Sequence, residues 1–148
     1  MPTSFACLHF HIVFGTKDRR PFITPDLAAG LHAYLAGTIK GLGGSPVLIG
    51  GAADHVHILA ALPKDKAISD VVREIKTNSS RWVHESRADR REFAWQEGYG
   101  AFTVGINGVP QVKAYIARQA EAHRTVSFRD EFASFLRRHG ITFEERDI

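Results

Sequence analysis

The chain has 148 residues, 44% of them hydrophobic, and carries 19 Lys and Arg against 16 Asp and Glu. That length suits one domain with a core of its own, and no apolar run reaches the roughly 20 residues a bilayer-crossing helix needs. The net charge of +3 permits a polyanionic partner without requiring one. A single cysteine, Cys7, rules out an internal disulfide. The opening MPTSFACLHFHIVF has neither a basic leader region nor a small-residue cleavage site. Both features fit a reducing cytoplasm. No repeat, low-complexity stretch or long linker interrupts the sequence, so a single domain over 1–148 is expected.

The first strand is expected from Phe5 to Phe14, where Ala6, Leu8, Phe10, Ile12 and Phe14 alternate onto one face. Cys7 falls inside it and reads as a small core residue. Thr16 to Arg20 is a basic loop. Pro25 and Asp26 open a helix in which Leu27, Leu31, Leu35 and Ile39 recur at i+4, and Gly41, Gly43 and Gly44 end it. Val47 to Ile49 reads as a short strand, Gly50 and Gly51 as a turn or bulge, and His55 to Leu62 as another strand stopped by Pro63. Ser69 is placed to cap a second helix whose buried side holds Val71, Val72, Ile75 and Trp82. Glu85 to Glu92 is a loop or a frayed helix end. Ala101 to Ile106 is a strand, and a helix follows from about Val109 to His123 with Pro110 in its first turn. The last helix starts after Ser127, with Asp130 three residues on, carries Phe128, Phe132, Phe135 and Leu136, and stops at Gly140. The order β-α-β-β-α-β-α-α describes an α+β domain whose first part resembles a ferredoxin-like split βαβ. One antiparallel or mixed sheet with helices packed on it is expected.

Three features could carry chemistry. Two His-x-His pairs occur, His9 with His11 and His55 with His57. On a strand, residues two apart share a face about 7 Å apart, so either pair could offer two imidazoles to one cation. Equally, either could be the polar side of a half-exposed strand, and spacing alone does not choose. The second pair follows Gly50, Gly51 and Asp54, where a tight turn delivers the strand end to the surface. Tyr115 and Gln119 are four apart and share a helix face, flanked by Val112 and Ile116. A phenol can serve as a covalent nucleophile and an amide oxygen as a metal ligand, or the tyrosine can simply pack at the rim of an amphipathic helix. Between Phe93 and Phe102, aromatics and glycines interleave. Such a segment can stack on unpaired bases, while Trp95 and Phe102 could as well fill the core. No GxxxxGK[ST], no GxGxxG and no zinc-finger cysteine pairs are present.

In order along the chain, His11-Ile12-Val13-Phe14 with Thr16-Lys17 and Arg19-Arg20-Pro21, Asp54-His55-Val56-His57, Trp95-Gln96 with Gly98-Tyr99-Gly100-Ala101-Phe102, Tyr115-Ile116 with Gln119, and Phe128 with Glu131-Phe132 resemble the IS200-like family. These are the HUH-type (His, hydrophobe, His) single-tyrosine transposases of the smallest bacterial insertion sequences, and the resemblance spans nearly the whole chain. It implies the HUH fold, a ferredoxin-like (RRM-like) antiparallel sheet with helices. It implies Tyr115 as nucleophile, His55, His57 and Gln119 as metal ligands, and Mg2+ or Mn2+ as the ion. His9 and His11 become plain strand residues. It further implies cleavage and rejoining of single-stranded DNA with hairpin ends through a 5′-phosphotyrosine, a homodimer, and no membrane. Lys17, Arg19, Arg20, Lys76 and Arg81 are candidate DNA contacts, each weighed against an ordinary charged surface. Two rivals remain: a non-cutting module that binds single-stranded nucleic acid, as a domesticated transposase would, and a metal-dependent phosphodiesterase that uses water and leaves no covalent adduct.

Overall fold

Four strands form one antiparallel sheet in the computed structural model, which describes residues 3–119 and 126–148. They are β1 (His9–Gly15), β2 (Ser45–Ala52), β3 (His55–Ala61) and β4 (Gly100–Val104), in spatial order β2-β3-β1-β4. Helix α1 (Pro25–Gly41) leads from β1 to β2, and α2 (Ile68–Ser86) leads from β3 to β4. After β4 come α3 (Val109–Ala117) and α4 (Phe128–Arg138). This is the ferredoxin-like arrangement, with β1 and β3 central and the two edges taken by β2 and β4.

Strand alternation divides the central pair between two cores. Ile12, Phe14, Val56, Ile58 and Ala60 share a cluster with the α1 stripe of Leu27, Leu31, Leu35 and Ile39 and with Val71, Val72, Ile75 and Val83 of α2. Val13, on the opposite face, packs with Phe102 and with Phe128, Phe132, Phe135 and Leu136 of α4. Helix α4 starts as its sequence suggests, with the Ser127 hydroxyl accepting from the Asp130 N–H at 3.2 Å. Gly140, at φ 70°, follows its end.

Several local expectations shift. The first strand begins at His9, and Phe5 is 91% exposed. His9 pairs with Ala61 and Val104, the last residues of the partner strands on that side, and after one further bond from the Leu62 N–H to the Leu8 carbonyl at 2.9 Å residues 5–7 run past the ladder. Cys7 is therefore exposed, not core. Helix α2 is capped at Ala67 instead of Ser69, and Trp82 lies half-buried, stacked on Tyr34 with ring centroids 5.2 Å apart. The helix expected to reach His123 ends as α3 at Ala117, and residues 120–123 of that expectation lie outside the described residues. Among the described residues no helix is long and apolar enough to cross a membrane.

Candidate active site

His55 and His57 project from β3 on the face that α3 and α4 cover, and both are fully buried. Each is held at Nδ1, which leaves Nε2 pointing inward. The Asp54 carboxylate stands 2.7 Å from His55 Nδ1, and His11 Nε2 stands 2.7 Å from His57 Nδ1. His11 reaches its partner diagonally across the ladder, since Val13 is the residue directly opposite His57. His55 also stacks flat on Phe128, with centroids 4.3 Å apart and planes at 12°. Room for that ring comes from Gly15, the residue opposite His55. A Cβ there would lie 2.8 Å from the Phe128 ring and 2.6 Å from Gln96 Oε1.

Tyr115, Gln119 and Glu131 complete the cluster. Glu131 Oε1 lies 2.9 Å from His57 Nε2 and 3.7 Å from His55 Nε2, and its other oxygen, Oε2, accepts from the Tyr115 hydroxyl. Gln119 Oε1 is 3.2 Å from His55 Nε2. Burial pushes the Tyr115 phenol well above its ordinary value, and the bond to Glu131 adds to this by favouring the protonated form. Burial, with His57 alongside, holds His11 down at about 3. Beside Tyr115 opens a cavity of about 270 Å³ lined by His11, Gln111, Val112, Tyr115, Arg118, Phe135 and Arg138.

The residues present fit a divalent cation. One ligand atom from each of His55, His57 and Glu131 lies within 4.8 Å of the other two. Adjacent ligands around an octahedral ion with bonds of about 2.1 Å sit roughly 3 Å apart, which the separations of 2.9 and 3.7 Å approach without rebuilding. Two imidazoles alone favour borderline metals, and the Glu131 carboxylate and Gln119 amide oxygens make the set harder, suiting manganese or magnesium better.

A family model described as "Transposase IS200 like" matches residues 4–119. The chain belongs to the IS200-like transposase family. Among its family relatives, the ISDra2 transposase TnpA of Deinococcus radiodurans is 26% identical over 117 residues, 76% of this chain and 84% of the relative. The transposase for insertion sequence element IS200 of Salmonella typhimurium is 29% identical over 118 residues, 76% of each chain. Two solved structures share the fold. A transposase-assigned crystal structure from Deinococcus radiodurans has TM-score 0.62 at 24% identity and covers 81% of this chain and 96% of its own. A REP-associated tyrosine transposase bound to a REP hairpin has TM-score 0.61 at 16% identity and covers 85% of this chain and 74% of its own.

Within this family member, the structure brings together His55, His57, Tyr115 and Gln119 and adds two residues the sequence reading did not place there, Glu131 and His11. A signal for Glu131 existed. It interrupts the apolar row Phe128, Phe132, Phe135 of α4, and an acid on a buried stripe needs a partner. His11 had only its spacing from His9, whose half-buried side chain lies elsewhere. The basic candidates are dispersed. Lys17 and Arg19 lie on a short turn after β1 in which Asp18 and Arg19 take φ of 56° and 55°. The Thr16 hydroxyl closes this turn by donating to the Arg20 carbonyl at 2.7 Å. Arg20 pairs with Glu92 at 3.2 Å. Lys76 and Arg81 belong to α2, across the sheet from the histidines. The Lys76 ammonium donates to the carbonyls of Gln96 (2.8 Å) and Gly98, and burial lowers its pKa to about 8. Trp95 and Phe102 are core residues. Trp95 packs edge-on to Phe14 and donates to Ser79 Oγ at 2.9 Å.

Proposed function

We propose that this transposase cleaves and rejoins single-stranded DNA at insertion-sequence ends, with the Tyr115 oxygen forming a 5′-phosphotyrosine bond. His55 and His57, with Glu131 and Gln119 as oxygen donors, would hold a Mg2+ or Mn2+ ion. The observation that carries this reading is one carboxylate shared between two chemistries. Glu131 touches a buried imidazole through one oxygen and the phenol through the other. A passive binding surface has no use for that connection, and a water-dependent phosphodiesterase has none for the phenol.

A divalent ion bound there would draw charge from a non-bridging oxygen of the scissile phosphate. The rest falls to the protein. Tyr115 attacks phosphorus in line as the bond to the 3′ oxygen breaks, and that oxygen leaves as a 3′ hydroxyl. The phenolic proton has an acceptor already in contact, Glu131 Oε2. A second 3′ hydroxyl reverses the attack and releases Tyr115, so no nucleotide cofactor is consumed. Arg118 and Arg138, on the walls of the adjoining cavity, present cationic donors to the incoming backbone. Lys17, Arg19, Arg20 and Arg81 extend the same attraction more weakly, while Lys76 is held by its carbonyls. The hairpin bound by the REP-associated neighbour supports a hairpin-bearing DNA end as substrate here. Such chemistry on chromosomal DNA belongs in the cytoplasm. The homodimer rests on the family resemblance; in this structure, the described groups already converge within a single chain.

The test is an oligonucleotide carrying the element end, incubated with Mn2+ and run on a denaturing gel. The parent protein should give a protein–DNA adduct that survives denaturant, and Tyr115→Phe should give none while binding DNA within about threefold of the parent. An adduct at full yield from Tyr115→Phe removes Tyr115 as the nucleophile. Cleavage without any adduct in the parent favours the water-dependent alternative.

A further inference from the structure

The two histidine ligands are oriented by different groups, and only one of those groups is the usual one. A metal-binding imidazole commonly passes the hydrogen of its far nitrogen to a carboxylate, a backbone carbonyl or water, which fixes both tautomer and ring plane. His55 follows that rule with Asp54, its half-buried neighbour in the chain, at 2.7 Å. His57 has instead a second imidazole, His11, from the adjacent strand, also at 2.7 Å. His11 is 2% exposed, and its ring lies against the edge of Phe135, centroids 5.1 Å apart, and near Phe102 at 6.2 Å. Its ring and that of His57 overlap at 4.9 Å between centroids with 28° between planes. Nothing in ordinary strand packing asks for an imidazole there, because a leucine would fill the space among Phe102 and Phe135 without a polar atom to satisfy.

We infer that His11 is a positioning residue for the metal centre: once a cation replaces the contact of His57 Nε2 with Glu131, His11 Nε2 accepts the Nδ1 hydrogen of His57 and so holds His57 with Nε2 bare and aimed at the cation. This rests on the reading of His55 and His57 as metal ligands and adds a role for a third histidine. The tautomer follows from the geometry. If His57 Nε2 is the ligand atom, the hydrogen of the neutral ring sits on Nδ1, and the atom within reach is His11 Nε2. Loss of that acceptor leaves the ring free to tilt or to take the other tautomer, which places a hydrogen where the cation must bind. The Asp54–His55 pair would remain intact, so one ligand should be weakened and not both.

The experiment uses the full chain and Mn2+ alone, without DNA, so that binding is separated from reaction. His11→Leu should weaken Mn2+ affinity 10- to 100-fold, the range typical for removing such an outer partner. His11→Gln, whose side-chain oxygen can reach about where Nε2 stood, should recover affinity to within about threefold of the parent. Thermal midpoints of both variants are recorded alongside, and a purely structural role predicts that affinity tracks those midpoints and not the acceptor. Should His11→Leu fail to fold, long-range proton–nitrogen spectra of the 15N-histidine-labelled parent saturated with diamagnetic Mg2+ give the same answer without a mutation, showing His57 protonated at Nδ1. Parental Mn2+ affinity in a folded His11→Leu, a His11→Gln as weak as His11→Leu, or His57 protonated at Nε2 with Mg2+ bound would overturn the inference. If the parent itself binds no Mn2+, while His55→Ala and His57→Ala behave identically to it, the metal reading fails first and is distinguished from a failure of His11 alone.

Discussion

Helix α3 reaches the sheet at one point with no slack, Gly50 of β2, and that contact sets where Tyr115 can be. A Cβ at position 50 would lie 2.8 Å from Ile116 Cγ2 and 3.0 Å from the Ile116 carbonyl oxygen. Ordinary carbon contacts are about 3.5–4.0 Å, so the side-chain clash falls short by roughly 0.7–1 Å, and the backbone contact by a few tenths of an ångström. Turning the Ile116 side chain relieves the first clash and leaves the second, because the carbonyl is backbone. The helix must therefore lift, carrying Tyr115, the residue next to Ile116, away from Glu131. Overpacking of this size costs about 1–3 kcal/mol of stability; a shift near 1 Å at a reacting group lowers rate by about 10²-fold, so a few tenths of an ångström should lower it roughly five- to tenfold. The assay is single-turnover adduct formation on an oligonucleotide end, at saturating protein, with a thermal midpoint taken on the same sample. Gly37→Ala on the exposed face of α1 is the control: its Cβ meets nothing within 4 Å, and removing a helical glycine should stabilise by roughly 0.5–1 kcal/mol with the rate unchanged. If Gly50→Ala forms adduct within about threefold of the parent rate, the sheet–helix contact does not position the nucleophile and this reasoning is wrong.

Two further outcomes are expected. Glu131→Gln should slow adduct formation at least about a hundredfold and weaken Mn2+ binding, with DNA affinity nearly unchanged; a parental rate would take Glu131 out of the reaction. Lys76 has a folded pKa of about 8 because burial disfavours its ammonium, with Glu97 opposing. The native state therefore binds fewer protons than the unfolded chain between about pH 8 and 10.5, so this group's contribution to stability rises with pH across that window and is lost as pH falls through it. Denaturant titrations at pH 7.5 and 10 should show a smaller gain, or a larger loss, in Lys76→Met than in the parent, and equal changes would contradict the burial.

The order of strands and helices was legible because each element declares itself locally: the i+4 row of α1, the alternation around Ile12 and Ile58, the Ser127 cap. The His55–His57 pair and Tyr115 were legible as a candidate cluster once placed on one strand and one helix. What escaped depends on partners distant in the chain. Residues 5–8 alternate as well as 9–14 do, but a strand lasts only as far as its neighbours, and beyond the single bond between Leu62 and Leu8 neither β3 nor β4 extends to meet them. Cys7 went astray with that extension. Choosing between the two His-x-His pairs was a false alternative, since His11 contributes across the ladder to the pair on β3. Glu131 could be seen as an acid on an apolar stripe, but its target lies 74 positions earlier in the chain and no local pattern spans that gap.

The placement of both imidazoles on a central strand, with Val56 between them in the opposite core, governs how this segment can vary. Exchanging one hydrophobe for another at position 56 keeps the reading frame of the pleat. Gaining or losing a single residue between Asp54 and Ile58 inverts it, turning core residues toward the proposed cation site and at least one imidazole into the α1–α2 packing. Drift by insertion or deletion there should abolish the centre abruptly, whereas length changes between β1 and α1 leave the pleat untouched. Among descendants of this chain, gaps are expected in that connection and absent from β3.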